Sequence, residues 1–354
     1  MNRTIHFFAQ DEGSVKALLP VHLLCASWPG VKTQFYSSKY GLEFLGRRGI
    51  ECSEFPGFGF YPADNDVPDL IITGASMWDS IEKEAIAYAH ANAVMALTIV
   101  DHGSHFWERF TVAGERDRSA LPDMILAPDE ESRNRMLKAD FPPERIIVTG
   151  NPCFDAFVPA APERDASPKR VILCIMQPEF IGGHYRSDAS WFPIIKGLAE
   201  EFGSRAMAIV RPHPKENPEL YRPFEPLGIE VDDRSDITDL IIKSDIVIGK
   251  NSTSLIEAVF RGKVVISLDC GSRQFERLPT ERMGLSTFAS SANELHELIR
   301  KSFLPTLPFQ KLKRIQYYND GKNTERAGAC VLRILNRSMP KGKESTLPGR
   351  TTNG

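Results

Sequence analysis

The segment Ser244–Ser267 leaves the chain few choices of fold. Asp245-Ile-Val-Ile-Gly249 is a short β-branched run ending in glycine, the composition of a buried parallel strand. Ser254-Leu-Ile-Glu-Ala-Val-Phe260 spaces its apolar residues as a helix does and closes on Arg261-Gly262, a helix stop. Val264-Val-Ile-Ser267 is the next strand. Between the first strand and the helix stand Lys250, Asn251, Ser252, Thr253 and Ser254. A hydroxyl-rich strand-to-helix turn gathers side-chain donors, free backbone N–H groups and the positive helix end, and that is a phosphate site. Capping by Asn251 or Ser252 accounts for one hydroxyl, not for three beside a lysine. Glu257 lies in the first turns, either in the pocket, where it can hold ribose hydroxyls, or on a solvated face.

Upstream, the strand-like Ala206-Met-Ala-Ile-Val210 runs into Arg211-Pro-His-Pro-Lys215. Two prolines lock the backbone, so this loop projects Arg211, His213 and Lys215 stiffly from a strand's C-terminal end. Ligands of open α/β sheets bind just outside those ends. The two cues, separated by one βα unit, fit a nucleotide-phosphate pocket.

In this order, Arg-Pro-His-Pro, a strand, Asn-Ser-Thr-Ser-Leu-Ile-Glu-Ala and Arg-Gly-Lys-Val-Val-Ile resemble the C-terminal half of a GT-B glycosyltransferase. The motifs are most similar to those of bacterial sialyl-, polysialyl- and Kdo-transferases, and they resemble the CDP-glycerol glycerophosphotransferases as well. In both groups such motifs hold the phosphate of a cytidine nucleotide. The non-hydrolysing UDP-sugar 2-epimerases are similar in plan, but their Ser-Gly-Gly run is absent here. The resemblance implies an α/β chain of two Rossmann-like parallel-sheet domains facing an interdomain cleft. It implies phosphate binding by Arg211, His213, Lys250, Asn251, Ser252, Thr253 and Ser254, with Glu257 on the ribose.

With 354 residues and a net charge of −3, the chain has room for two ordinary domains and lacks the basic balance of a nucleic-acid binder. No apolar run is long enough to span a bilayer, and Met1-Asn-Arg-Thr leads straight into a strand without a secretory signal. The six cysteines are scattered without a Cys-x-x-Cys, as in a reduced cytoplasmic protein. The expected partition is an acceptor domain over 1–158, a polar Pro-rich linker over 159–169 and a nucleotide domain over 170–319. A helix over 320–338 then returns to the first domain, and 339–354 is a disordered tail.

The first half reads as alternating strands and helices. Thr4–Ala9 is a strand, followed by Asp11, Glu12 and Gly13, a loop that caps the helix from Val15 and lines the acceptor side. Ile50–Phe55 reads as a strand before an aromatic loop running to Pro62, which can pack, hold an acceptor or touch a membrane surface. Asp64-Asn-Asp66 reads as a turn. Pro68–Gly74 is a buried strand and Ser76–His90 a helix. Met95–Val100 reads as the central strand of this half, and it delivers Asp101-His-Gly-Ser-His105. A carboxylate beside an imidazole at such a strand end is the strongest acid/base candidate in the chain. The sialyl- and Kdo-transferases carry two acids and a glycine here, and the glycerophosphotransferases carry Trp-His-Gly. This chain has Asp101 and then His102, and we take Asp101 as the base ahead of His102. His102 and His105 make half a zinc site without a third ligand, so neither a metal nor another cofactor is expected.

The function expected from these readings is metal-independent inverting transfer from a CMP- or CDP-activated sugar onto a glycan, lipid-linked or protein-linked acceptor. The alternatives are a UDP-sugar 2-epimerase or sugar-nucleotide hydrolase on the same scaffold, and a non-catalytic sugar-nucleotide binding protein.

Overall fold

The computed structural model describes residues 3–337 apart from 56, 58–66, 78–79, 112–113, 158–168, 182–183, 269–278, 283 and 304–319. Nearly all of the expected linker, most of the aromatic loop, Asp64–Asp66 and the tail therefore lie outside the described residues. The first sheet comprises β1 (Arg3–Ala9), β2 (Val31–Ser37), β3 (Ser53–Glu54), β4 (Leu70–Thr73), β5 (Met95–Ile99), β6 (Met124–Ala127) and β7 (Ile146–Val148). Its order is β3-β2-β1-β4-β5-β6-β7, every pairing parallel. The second sheet joins β8 (Arg170–Ile175), β11 (Ala206–Arg211), β12 (Ile229–Val231), β13 (Ile246–Gly249), β14 (Val264–Leu268) and β15 (Thr287–Ala289). Its order is β12-β11-β8-β13-β14-β15, again parallel.

Both sheets are covered on both faces, which is why their strands read as continuous apolar runs rather than alternating ones. Phe7 and Phe8 point to opposite faces of β1, and each is fully buried in its own cluster. In the second sheet Ile246 and Ile248 enter one cluster and Val247 the other. The helices that supply this cover include α1 (Glu12–Ala26), α2 (Lys39–Gly46), α3 (Ile81–Ala91) and α4 (Glu130–Lys138) on the first half. On the second half they include α5 (Trp191–Phe202), α6 (Ile237–Lys243) and α7 (Thr253–Phe260). The last helix, Asn323–Arg337, buries Ala327, Val331 and Ile334 in the cluster that holds Ile5 and Leu18 of the first sheet's layer. Asp155 fixes its start by accepting from the amides of Asn323 (2.9 Å) and Thr324 (2.7 Å).

Several sequence expectations need correction. The helix expected from Ser76 begins at Ile81, because Ser76 is not a cap. Its hydroxyl donates to Glu82 (2.6 Å) and accepts the amide of Asp11 (3.2 Å). Helix α1 starts at Glu12, so Glu12 and Gly13 belong to its first turn and only Asp11 is left in the loop. Of the strand expected over Ile50–Phe55, only Ser53–Glu54 pairs. The segment after β8 forms a hairpin of β9 (Glu179–Ile181) and β10 (His184–Arg186). Strand β5 is one place off the centre of its sheet, which is β4, and β11 is second from an edge. Hydrophobic content tracks burial, whereas strand order is set by the crossovers, which composition does not report.

Candidate active site

The C-terminal ends of both sheets open on one cavity of about 1060 Å³. The expected site residues line it: Asp11, Glu12, Gly13, Asp101 and His102 from the first half, and Arg211, His213, Lys250–Ser254 and Glu257 from the second. Asp101 and His213 thus share one cleft despite their separation in sequence. Gly13, on the first wall, sits between Asp101 of the same wall and Thr253 of the opposite one. A Cβ there would stand 2.6 Å from Asp101 Oδ2 and 3.8 Å from Thr253 Oγ1. Among the described residues, ion pairs span the halves from Lys215 Nζ to Asp11 Oδ1 at 3.2 Å and from Arg48 to Asp236.

On the second wall, Ser252 is the N-cap of α7, its Oγ accepting the amide of Ser254 at 3.2 Å. The capping reading is therefore correct for this hydroxyl, and Thr253 and Ser254 occupy the first turn, where amides lack intrahelical acceptors. Gln177 shapes the preceding turn from outside. Its side-chain oxygen accepts the amide of Asn251 (2.6 Å) and its side-chain nitrogen donates to the Asn251 carbonyl. The Arg-Pro-His-Pro loop is braced by Glu216, which accepts the His213 amide (2.9 Å) and the Tyr221 hydroxyl (2.8 Å). Lys215 N donates to His213 Nδ1 (3.1 Å), so the neutral ring carries its proton on Nε2 and is a donor there. Burial, reinforced by Lys215, pushes the His213 pKa down to about 4, which keeps the ring neutral.

Two cations expected to be aimed at phosphate are already engaged. Lys250 pairs with Glu179 (3.3 Å) and with Asp188, and Arg211 donates to the carbonyl of Asp232 (3.0 Å). Burial in a polar wall demands this compensation, because an isolated charge there is costly. Glu257 is buried, not solvated. It accepts from Thr238 Oγ1 and Arg261 Nε, both at 2.9 Å.

On the first wall, Asp101 is buried with Arg109, whose Nη1 donates to Asp101 Oδ1 at 2.9 Å and to the Ala75 carbonyl at 2.5 Å. Arg109 Nε donates to the Ser104 carbonyl (2.7 Å), Arg135 to that of Gly103 (2.5 Å) and Asn151 to that of Asp101 (3.0 Å). The 101–104 turn is thus lashed down through its carbonyls. His102 Nδ1 lies 2.7 Å from Ser104 Oγ.

Lys16, Ser104, Arg109 and Glu216 escaped sequence reasoning. Lys16 had a readable signal, since it follows Glu12 by four residues on α1 and pairs with it at 2.9 Å. Burial alone would lower its pKa, but Glu12 and, across the cleft, Glu257 outweigh that and hold it above the usual lysine value. The other three act through contacts that only the fold creates. Among the described residues no group of three His, Cys, Asp or Glu side chains could hold a metal ion, and no helix is long and apolar enough to cross a membrane.

Comparison with known proteins adds a family. A model of the UDP-N-acetylglucosamine 2-epimerases matches residues 118–331. Among solved structures, the UDP-GlcNAc 2-epimerase of Neisseria meningitidis bound to UDP-GlcNAc is 16% identical. That alignment covers 95% of this chain and 100% of the other at a TM-score of 0.61. The enzyme of Methanocaldococcus jannaschii, in complex with UDP-GlcNAc and UDP, is 12% identical with the same coverage, at a TM-score of 0.67. The calicheamicin glycosyltransferase CalG4 is 13% identical over 96% of this chain and 100% of the other, at a TM-score of 0.62. At such identities the likeness shows the fold, two parallel-sheet α/β domains of GT-B type. No curated protein matches the sequence.

Proposed function

Because the chain belongs to the UDP-N-acetylglucosamine 2-epimerase family, we propose that it converts a uridine diphosphate sugar at carbon 2, without a separate acceptor, in the cavity between its sheets. The cytidine donor expected from the motifs gives way to a uridine diphosphate, since the matched span of residues 118–331 includes both phosphate-site segments. The observation that carries the reading is the opposition of those segments to the Asp101–His105 turn across Gly13.

The chemistry follows from the two walls. Inverting carbon 2 requires its C–H bond to break, and that hydrogen is not acidic in an intact sugar. It becomes removable when the diphosphate departs from carbon 1, because the electrons of the C–H bond then form a C1=C2 double bond. Returning the proton on the other face, with re-addition of the diphosphate or of water, gives the epimer. The growing charge on the diphosphate oxygen falls to preformed donors, the start of α7 and the Nε2–H of His213. Proton movement falls to the Asp101–His105 turn, where general acid–base catalysis supplies about 10²–10⁴-fold.

A second reading, sugar transfer to an acceptor, is favoured by one feature. The Ser-Gly-Gly run of the epimerases is absent, and the hydroxyl-rich Ser252-Thr253-Ser254 of the transferase-like motif is present. The test is to incubate the protein with UDP-GlcNAc alone in D2O and follow the sugar by NMR. We expect the 2-epimer, as nucleotide or as free sugar, with deuterium at carbon 2. Turnover that starts only when a glycan acceptor is added would instead establish the transferase, and a response restricted to CMP- or CDP-sugars would restore the cytidine expectation.

A further inference from the structure

Ser104 Oγ lies between two imidazoles, 2.7 Å from Nδ1 of His102 and 3.2 Å from Nδ1 of His105. All three residues line the cavity, and Ser104 is 2% exposed. Among the described residues, its hydroxyl meets no other hydrogen-bond partner. A hydroxyl has one proton to give and lone pairs to receive. Buried as it is, it donates to one Nδ1 and must therefore accept from the other. The backbone is shaped for this contact. His105 has φ 52°, in the left-handed region that a non-glycine residue avoids, and the strain is held in place by the arginine bonds to the carbonyls of Gly103 and Ser104. Burial, with help from Arg109 and Arg135, lowers the pKa of His105 and keeps that ring neutral.

We propose that His102, Ser104 and His105 form a proton relay in which the serine hydroxyl forces the two imidazoles into opposite tautomers, so that one Nε2 accepts a proton while the other carries one. The inference deepens the epimerase reading and rests on it for its substrate. The proton count closes. In the resting state one ring has Nδ1–H donating to Ser104 and a basic Nε2, and the other has Nδ1 accepting from Ser104 and an Nε2–H. A proton taken from the substrate at the basic Nε2 makes that ring an imidazolium. Its Nδ1 proton passes to the serine oxygen, the serine proton passes to the second ring, and the second ring releases its Nε2 proton. The tautomers are then exchanged and the relay is set for the reverse reaction. A reaction that removes a proton from one face of a carbon and returns one to the other uses both ends. Asp101 is bound to Arg109 and stands beside the relay rather than in it.

The test reads the tautomers directly. Long-range ¹H–¹⁵N spectra of the whole protein with ¹⁵N-histidine, at pH 8, report which nitrogen of each ring is protonated, and His102→Gln and His105→Gln assign the signals. We expect complementary rings, one Nδ1–H and one Nε2–H, or averaged values that sum to one proton on each kind of nitrogen. Ser104→Thr should keep that complementarity and Ser104→Ala should lose it. Two Nδ1–H rings in the wild type, or spectra unmoved in Ser104→Ala, would overturn the relay whatever the substrate is. With UDP-GlcNAc, Ser104→Ala should slow deuterium entry at carbon 2 by about tenfold or more at unchanged UDP affinity, and Ser104→Thr should restore it. Equal exchange in wild type and Ser104→Ala would leave the epimerase and remove the relay. Complementary tautomers without any wild-type exchange would keep the relay and remove the epimerase.

Discussion

On the wall supplied by the second sheet, the phosphate-site groups come from two short segments, 211–215 and 250–257, each contiguous and each at the end of one strand. Residues 175–179 and 234–237 complete that wall's lining, and the wall of the first sheet gathers residues 11–16, 40–48, 75–77 and 101–109, its acid/base turn held by groups from distant connections. The second wall is the more local device: a helix start and a proline-stiffened loop present its ligand-facing groups, and Gln177, Glu179 and Asp188 from the connection after β8 trim them. The first is a tertiary device, in which Asp101 is set by Arg109, Arg109 by Ala75 and Ser104, and the whole turn by Asn151 and Arg135. Damage should accordingly spread on the first wall and stay confined on the second.

The largest effect should come from Arg109→Ala. Its guanidinium and the Asp101 carboxylate are 6% and 10% exposed, so truncation leaves a buried carboxylate without its partner. We expect a loss of about 3–5 kcal/mol in denaturant unfolding, with turnover abolished. A loss below about 1 kcal/mol would mean that water replaces Arg109 and that the first wall is as locally built as the second.

Next is Gly13→Ala. The new methyl carbon would stand 2.6 Å from Asp101 Oδ2, and Asp101 is held by Arg109. Overpacking of this kind costs about 1–3 kcal/mol, and here it moves the carboxylate that faces the cleft. Turnover should fall far more than the melting temperature does. An alanine variant with normal turnover would show that Asp101 can shift without cost to the chemistry.

His213→Gln gives a smaller, pH-dependent signature confined to the second wall. The folded-state pKa of about 4 lies below the ordinary imidazole value of 6.5 that holds in the unfolded chain. Between these values the unfolded chain binds a proton that the folded protein refuses, so wild-type stability falls as pH drops from 6.5 toward 4. Removing the imidazole should make stability less steep across that window in urea unfolding, with little change above pH 7. Parallel curves for the two proteins would place His213 in contact with water.

The smallest effect is expected where the walls join at the rim. Arg48 and Asp236 are each about a third exposed, so Arg48→Met should cost about 0–1 kcal/mol, and less in high salt. A larger, salt-independent loss would make this pair part of the cavity's internal network.

The same contrast explains what was legible in the sequence. The run Asp245–Ser267 carried its strand, cap, helix and strand in order, and α7 begins at Thr253, one residue before the expected Ser254. The helix Trp191–Phe202 was readable to the residue, because its apolar spacing is local, whereas Ile237–Lys243 could be bounded but not told from a strand by its short apolar run. Asp101 and His102 could be found because they end an apolar strand. Arg109, eight residues on, could not, because nothing in its neighbourhood announces that it folds back onto Asp101. Ser104 was hidden for the opposite reason, since a serine between two histidines reads as an ordinary turn until the rings are seen to face it. Lys250 was misread in a physically instructive way: the cation was correct, but Asp188 and Glu179, which compensate it, arrive from the hairpin region after β8.

The division of labour between the walls is tested most directly by UDP calorimetry on two variants side by side, Asp101→Asn and Ser252→Ala with Ser254→Ala. We expect the serine double variant to lose at least tenfold in affinity, since each charge-assisted hydrogen bond contributes about 1.5–3 kcal/mol. Asp101→Asn should bind UDP as the wild type does while its turnover of UDP-GlcNAc is lost. Unchanged UDP affinity in the serine variant, or affinity lost in Asp101→Asn while the serine variant binds normally, would contradict it.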